Sequence, residues 1–149
     1  MKKYTVRFAH LKERPRWNIG DKIKFKEKIG IEGSTGKSTG SHCHIDLVGG
    51  EKAELYHLKD INNTQDEIAQ LNYFLYDNSL YDGHFTITTY YGEPKYFKDH
   101  KKVHTGYDVV GLKKNIFWPR SYEGRVTAVF NHPAGYGWVI YFVFEVPDD

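Results

Sequence analysis

Residues 41–46, with the sequence SHCHID, constrain the fold of this chain more than any other segment because polar and apolar side chains alternate along them. Successive side chains of a β-strand point to opposite faces, so the alternation predicts a strand with one face in a core. His42 and His44 should then share one face, while Cys43 and Ile45 point to the other. The pattern predicts a sheet that presents two neighbouring imidazoles.

A second histidine-bearing segment, residues 104–108, adds an imidazole and a carboxylate four positions apart. Catalytic zinc usually takes three protein ligands with nitrogen or oxygen donors and keeps a fourth position for water. His44, His104 and Asp108 would make such a set. His42 would then lie beside the water as a base. Together the two segments predict a zinc hydrolase.

Both segments resemble motifs of the lysostaphin/LytM-type zinc endopeptidases. Residues 33–46 resemble the glycine-rich lead and H-x-H strand of that family, and residues 104–108 resemble its H-x-x-x-D motif. Residues 8–11 (FAHL) resemble a stretch that carries a third active-site imidazole, which here is His10. Two further segments resemble strands of the family, residues 18–23 and 87–92. As a set, these motifs are specific.

The resemblance implies a zinc-dependent peptidoglycan endopeptidase that hydrolyses peptide bonds in bacterial cell-wall cross-links. His44, His104 and Asp108 would hold the zinc. His42 would act as the general base, and His10 would donate a hydrogen bond to the oxyanion. One alternative is a catalytically inactive wall-binding domain, which would lack a ligand or base; none is missing here. The other is a structural domain of a phage tail or lysis assembly with closed zinc, whose fourth ligand only Cys43 or His42 could supply.

The motifs occur in an unusual order. In the family the H-x-x-x-D segment precedes the H-x-H segment, whereas here His104 follows His44. Cutting the chain after Gly83 and moving its second half to the front restores the family order. Residues 138–146 would then lead into residues 4–10 through a hairpin turn, and such loop tips tolerate permutation. The chain is therefore predicted to be circularly permuted, with these two strands paired antiparallel.

Length and strand patterning predict a single domain, residues 1–149, that is mainly β. The resemblance implies an antiparallel sheet or sandwich of the LytM-type peptidase fold, circularly permuted, with a linker at residues 49–83. One helix is predicted in that linker, because Thr64 and Glu67 form a capping-box pattern before apolar residues at helical spacing. The predicted strands are residues 4–11, 22–31, 42–48, 85–91, 124–130 and 137–146.

Other polar residues receive structural or supporting roles. Asp46 shares the histidine face and is a candidate to support a ligand imidazole, while Cys43 is expected to face the core. Residues 36–38 (GKS) suggest a P-loop, but Ile31 occupies the position where that motif requires glycine, and the segment leads into a strand. Four other histidines are expected on the surface, namely His57, His84, His100 and His132.

Charge and composition limit the partners. The net charge of only +2 gives no strong attraction to nucleic acid, and no apolar run approaches the length of a membrane span. The lysines between Lys22 and Lys28 alternate with other residues, which predicts a basic edge strand or contact with anionic wall polymers. No signal-peptide pattern follows the basic start. A wall enzyme of this kind would be virion-associated or released at lysis, within a larger phage tail or lysis protein.

Overall fold

The computed structural model describes residues 1–48, 64–76, 79–101 and 104–147. The predicted class is confirmed, because the described residues form a mainly β protein with antiparallel strands and short helices. No helix within the described ranges is long and apolar enough to cross a membrane.

Nine strands and two α-helices lie within the described ranges. In chain order they are β1 (Lys2–Leu11), β2 (Lys22–Ile23), β3 (Lys28–Ile31), β4 (Cys43–Leu47), α1 (Gln65–Asn72), β5 (Phe85–Thr89), α2 (Pro94–His100), β6 (Tyr107–Gly111), β7 (Asn115–Phe117), β8 (Gly124–His132) and β9 (Gly137–Val146). A 3₁₀ turn at Tyr73–Leu75 continues α1.

Seven strands form one antiparallel sheet in the order β2-β8-β9-β1-β4-β6-β5, and β3 pairs with β7 in a second, two-stranded sheet. β1 and β9 pair antiparallel from Lys2 opposite Val146 to Leu11 opposite Trp138. The predicted pairing of these two strands is therefore confirmed. In this strand order, β1 and β4 lie in the middle of the large sheet, and each is paired with a neighbouring strand on both edges.

The two faces of the large sheet differ sharply in chemistry. One face packs into the main core, where the side chains of the central strands alternate as the strand period requires. That face carries Tyr4, Val6 and Phe8 of β1, Cys43, Ile45 and Leu47 of β4, and Ile140, Phe142 and Phe144 of β9. The opposite face carries Arg7 and Ala9 of β1, His44 and Asp46 of β4, and Val139 and Tyr141 of β9. Cys43 thus lies in the core, as expected.

The single strand predicted over residues 22–31 is wrong. β2 ends at Ile23 and β3 begins at Lys28, and a turn separates them. Lys26 adopts a positive φ of 71°, and the Lys24 amide donates to the Glu27 carboxylate at 2.8 Å. The alternating lysines match a strand period, but the side-chain cap by Glu27 stabilises a turn instead.

The predicted helix is confirmed as α1, including its capping box. Thr64 Oγ1 accepts from the Glu67 amide, and the Glu67 carboxylate accepts from the Thr64 amide. Three elements were not predicted: α2, β6 and β7. The role of residues 49–83 as a linker remains a prediction, because residues 49–63 and 77–78 lie outside the described residues.

Candidate metal centre

Pairing of β4 with β6 brings the two sequence motifs together. His44 lies directly opposite Asp108 in the ladder, and His44 Nδ1 is 2.9 Å from Asp108 Oδ1. His104 precedes β6 and places its Nε2 3.3 Å from Asp108 Oδ2. The other nitrogen of His104 lies 3.2 Å from the Tyr90 carbonyl. A carbonyl only accepts, so His104 Nδ1 donates to it, and Nε2 is the nitrogen that faces Asp108.

The three residues assigned as metal ligands form one compact group, called here the metal cluster: His44, His104 and Asp108. Each offers one ligand atom, and these atoms all lie within 4.8 Å of one another. Two imidazole nitrogens and a carboxylate oxygen are donors that a divalent transition metal accepts. The metal cluster is therefore compatible with a bound metal ion.

Electrostatics also favour a cation at the metal cluster. Burial alone would raise the pKa of Asp108, but hydrogen bonds from His104 and His44 hold it well below its usual range. Burial alone would lower the pKa of His44, yet the charge of Asp46 and the bond to Asp108 raise it to about 9. In the metal-free protein a proton on His44 supplies the positive charge that these carboxylates stabilise.

Asp46 lies behind His44, where it was expected to support a ligand imidazole. Its Oδ2 is 3.3 Å from His44 Nε2, the ring nitrogen that faces away from Asp108. Arg7 binds the same carboxylate through two nitrogens, with Nε 2.7 Å from Asp46 Oδ1, and also donates to the Tyr141 hydroxyl at 3.1 Å. Burial opposes ionisation of Asp46, but Arg7 keeps its pKa below the usual range. The ion pair of Arg7 and Asp46 fixes the orientation of the His44 ring.

Arg7 was missed from the sequence. It contacts Asp46 because β1 and β4 place the two residues opposite each other. A signal was nevertheless present, since Arg7 interrupts an apolar strand at a position that faces away from the main core. A buried arginine there requires an anionic partner.

His42 and His10 lie together beside the metal cluster, with ring centroids 4.7 Å apart. His42 Nδ1 donates to the Gly40 carbonyl at 2.9 Å, and His10 Nδ1 donates to the Thr35 carbonyl at 2.7 Å. In its neutral form, each ring therefore keeps the lone pair on Nε2. His42 Nε2 is 3.9 Å from Asp108 Oδ1, so the predicted base faces the metal cluster without a hydrogen bond to it.

The backbone at His10 is held in an unusual conformation. Its φ is 62°, in the left-handed region, and the register of β1 against β9 shifts between Phe8 and Leu11. The His10 amide donates to the Tyr136 carbonyl at 2.7 Å, which fixes this bulge. Bulges re-aim side chains near functional sites, and here the bulge turns His10 toward His42. Burial lowers the pKa of His10 and favours its neutral form.

Two tyrosines complete the surroundings of the cluster. Tyr136 stacks on His44 with ring centroids 6.0 Å apart, and Arg7 lies 4.3 Å from the centre of the Tyr136 ring. Burial, together with the charge of Asp46, raises the pKa of Tyr136 to about 12. The ring centroid of Tyr96, in α2, lies 4.5 Å from that of His104. Sequence analysis missed both tyrosines because neither belongs to a motif and α2 itself was not predicted.

Among the described residues, the remaining histidines contribute no ligand to the metal cluster. His84, His100 and His132 are exposed, as expected, and His57 lies outside the described residues. The His100 ring stacks on the Tyr96 ring, with the ring centroids 4.2 Å apart. His100 therefore lies near the site, with Tyr96 between it and His104.

Close backbone approach at the site requires glycine at two positions. A Cβ at Gly106 would lie 2.3 Å from the Ile45 carbonyl oxygen and 3.0 Å from His44 Cε1. A Cβ at Gly36, whose φ is 74°, would lie 2.2 Å from the Gly137 amide. The glycine-rich segment therefore packs against the β8–β9 turn and leads into β4, and no helix within the described residues follows it to bind phosphate.

Comparison with known proteins identifies a partial relative. A protein of Buchnera aphidicola subsp. Baizongia pistaciae (strain Bp), named "Uncharacterized metalloprotease", is 46% identical to this chain over 44 residues. The match covers 30% of this chain and 11% of that protein's length. Neither a family model nor a solved structure matches the chain. The chain is thus similar over 44 residues to part of a protein that is named a metalloprotease, and its own metal cluster is compatible with a metal ion.

Proposed function

We propose that this protein is a zinc-dependent peptidoglycan endopeptidase that hydrolyses peptide bonds in bacterial cell-wall cross-links. The observation that carries the proposal is the convergence of His44, His104 and Asp108, with ligand atoms within 4.8 Å of one another. The metalloprotease relative supports peptide hydrolysis. The resemblance of the motifs to those of lysostaphin/LytM-type enzymes supports the choice of peptidoglycan.

Zinc fits the donor set better than a hard cation does. Imidazole nitrogens suit zinc, whereas calcium and magnesium take oxygen ligands. Cys43, which could have closed a four-ligand site, points into the main core and is fully buried there. The metal cluster thus offers three protein ligands, the number that catalytic zinc sites use.

When bound, zinc supplies Lewis acidity, which lowers the pKa of water toward about 7 and polarises the scissile carbonyl. His42 accepts a proton from the attacking water at Nε2, because its Nδ1 is committed to the Gly40 carbonyl. Asp46 and Arg7 hold His44 in place and leave its Nδ1 facing Asp108. His42 and His44 each have one ring nitrogen held by a partner, so that the other ring nitrogen can act.

His10 is assigned to the oxyanion that forms when water attacks the peptide carbonyl. Its Nδ1 is already bonded to the Thr35 carbonyl, so only Nε2 can reach another group. Nε2 donates a hydrogen bond only when the ring is protonated, while burial favours the neutral ring. The proton must therefore reach His10 during the reaction, and His42 is the neighbouring imidazole that can supply it.

Circular permutation remains part of the proposal. What supports it is the antiparallel pairing of β1 with β9, which places Lys2 opposite Val146. A short turn between these strands would join them into a hairpin. The motif order is then explained by a family domain whose hairpin has been opened and whose former ends have been joined through residues 49–83.

The test is an assay of zinc-loaded protein on purified cell walls of several bridge types. New amino groups should appear, and mass analysis of the fragments should show which bond is cut. Chelation should abolish their release, and returning zinc should restore it. A zinc-loaded protein that binds walls and cleaves none of them would instead support an inactive wall-binding or structural domain of a phage tail or lysis assembly.

A further inference from the structure

A groove on the protein surface lies far from the metal cluster. It has a volume of about 890 Å³ and lies between the start of β1, the end of β9, the α1 region and residues 119–122. Lys2 and Tyr4 line it, and His10 follows eight residues after Lys2 on the same strand. At about 3.3 Å per residue, these two ends of β1 are roughly 26 Å apart. Tyr4 also faces the main core, whereas the metal cluster lies on the opposite face of the sheet.

Aromatic side chains are concentrated in this groove. Four of the nine large hydrophobic side chains that are exposed among the described residues line it: Phe25, Tyr73, Tyr76 and Tyr122. The rings of Tyr73 and Tyr76 lie 5.8 Å apart with an interplanar angle of 33°. Tyrosine offers an apolar ring face together with a hydroxyl, a combination suited to ligands that have both kinds of surface.

Arg120 forms the cationic part of the groove lining. It is only 7% exposed, and no carboxylate of the described residues lies within ion-pair distance of it. Its two terminal nitrogens donate to the Gln70 backbone carbonyl at 3.3 Å and the Gln70 side-chain oxygen at 3.2 Å. A guanidinium has five N–H donors, so capacity remains. Four aromatic rings, those of Tyr73, Phe74, Tyr122 and Phe144, lie with their centroids 5.1, 5.4, 5.4 and 5.2 Å from the guanidinium carbon, and they stabilise the cation without supplying a negative charge.

Asp66, the acidic side chain among the described residues that line the groove, does not compensate Arg120. Asp66 accepts from Lys2 Nζ at 2.8 Å and from the Tyr4 hydroxyl at 2.8 Å. Asp66 and Lys2 neutralise each other, so Arg120 has no carboxylate partner among the described residues. The groove therefore complements a ligand that brings one negative group.

We propose that this groove binds an anionic saccharide, whose carboxylate or phosphate pairs with Arg120 while its sugar rings stack on Tyr73 and Tyr76. Planar guanidinium groups suit bidentate pairing with such anions. The apolar faces of sugar rings suit exposed tyrosines. This is a binding site beyond the proposed hydrolysis, and it does not depend on the metal cluster.

Two other ligand classes fit less well. Nucleic acid is bound through many phosphate contacts, whereas the described residues that line this groove include one cation without a carboxylate partner. Extended peptides commonly add to a free sheet edge, but β1 and β9 have both edges paired in the large sheet. A single anion-binding arginine beside stacked tyrosines is the feature that favours a saccharide.

Titration of the zinc-free protein, followed by NMR, tests the proposal with a matched pair of probes. These are a β-1,4-linked trimer of glucuronic acid and cellotriose, which has the same linkage without the carboxylates. The charged trimer should bind saturably at the groove and at least about tenfold more tightly than cellotriose, as expected for a charge-assisted hydrogen bond. Inorganic phosphate alone should bind more weakly than the charged trimer, because it cannot stack.

Variants then locate the binding. Arg120→Gln should weaken binding of the charged trimer by about tenfold or more, and Arg120→Lys should restore part of it. Tyr76→Ala, at a position 64% exposed where folding is little affected, should weaken binding by about two- to tenfold. Phe97→Ala removes a comparably exposed aromatic ring outside the groove and should have no effect.

His44→Ala, which removes a residue of the metal cluster, should leave saccharide binding unchanged. Loss of wall hydrolysis would therefore leave this proposal intact, and loss of saccharide binding would leave the proposed hydrolysis intact. Equal affinity for the two trimers, no saturable binding of the charged trimer, or equal losses for Tyr76→Ala and Phe97→Ala would each overturn the proposal.

Discussion

Two carboxylates of this protein, the buried Glu32 and the partly buried Asp108, are surrounded by different partners. Glu32 accepts hydrogen bonds from Ser41 Oγ at 2.6 Å, Tyr81 Oη at 2.7 Å, the Gly111 amide at 2.9 Å and Lys114 Nζ at 2.9 Å. Burial would raise the pKa of Glu32, but these donors lower it. Its charge is balanced entirely by groups of this chain.

Asp108 has no lysine or arginine partner among the described residues. Its oxygens face His44 Nδ1 at 2.9 Å and His104 Nε2 at 3.3 Å, while His42 Nε2 lies further away at 3.9 Å. Imidazoles can bring a proton, or they can share a metal ion with the carboxylate. The charge of Glu32 is therefore balanced by fixed partners, whereas the charge of Asp108 is balanced by imidazoles that carry a proton or share a metal ion. This difference distinguishes the Glu32 network, which serves stability, from the metal cluster, which is a candidate binding site.

The largest expected effect comes from removing a ligand. His44→Ala should lose both zinc and turnover, because two donors remain and Asp108 loses its closest partner. The loss of affinity should exceed the roughly 10- to 100-fold typical of removing an outer-shell partner. Metal analysis and wall hydrolysis should be measured on the same preparation. Glu32→Gln is the matched control and should keep both; loss of zinc there would break the comparison.

The next largest effect concerns proton transfer. His42→Ala should keep zinc and the fold while losing about 100- to 10,000-fold in turnover, since general-base catalysis contributes about that much. Hydrolysis rate and zinc content together give the answer. His132→Ala removes an exposed histidine outside the metal cluster and should be active. Wild-type activity in the His42 variant would show that the base has been misassigned.

A steric change should act on the metal cluster through the backbone. Gly106→Ala would place a methyl group 2.3 Å from the Ile45 carbonyl oxygen and 3.0 Å from His44. We expect a loss of about 1–3 kcal/mol in the free energy of unfolding, as overpacking typically costs, together with weaker zinc binding. Gly40→Ala is the control, since nothing lies within 4 Å of its Cβ. Equal zinc affinity and stability in the two variants would contradict this packing.

The smallest effect is expected at Glu32, and it concerns stability alone. Glu32→Gln should lower the free energy of unfolding by about 1–3 kcal/mol at neutral pH, because a buried network loses its charge. The folded-state pKa of Glu32 is depressed, so its contribution is present above the unfolded value of about 4.3. The difference from wild type should shrink as pH falls through the folded pKa. Denaturant unfolding at several pH values would measure it, and a pH-independent difference would count against the network.

The parts of the site that sequence could predict are those fixed by strand alternation. Within β4, alternation alone places His44 and Asp46 on one face and Cys43 on the other, and no distant contact alters that. The capping box at Thr64 was equally local, because both partners lie within one helical turn. Predictions of this kind need only the period of the element that carries the residues.

The parts that sequence missed depend on strands distant in the chain. Arg7 reaches Asp46 only because β1 lies beside β4, and Tyr136 reaches His44 only through the turn before β9. The prediction of one strand over residues 22–31 failed for another reason. Alternating lysines satisfy a strand period, yet the side chain of Glu27 caps a turn in which Lys26 has a positive φ. Local patterns determine side-chain faces, whereas partners across the sheet require its topology.

The central claim, that His44, His104 and Asp108 bind a metal ion, is tested most directly by zinc titration of metal-free protein. Wild type should bind one zinc per chain, with affinity falling as pH is lowered and the imidazoles take up protons. Asp108→Ala should lose that tight binding, while the Glu32→Gln control should retain it. An Asp108→Ala protein that binds a full equivalent of zinc with wild-type affinity would contradict the account.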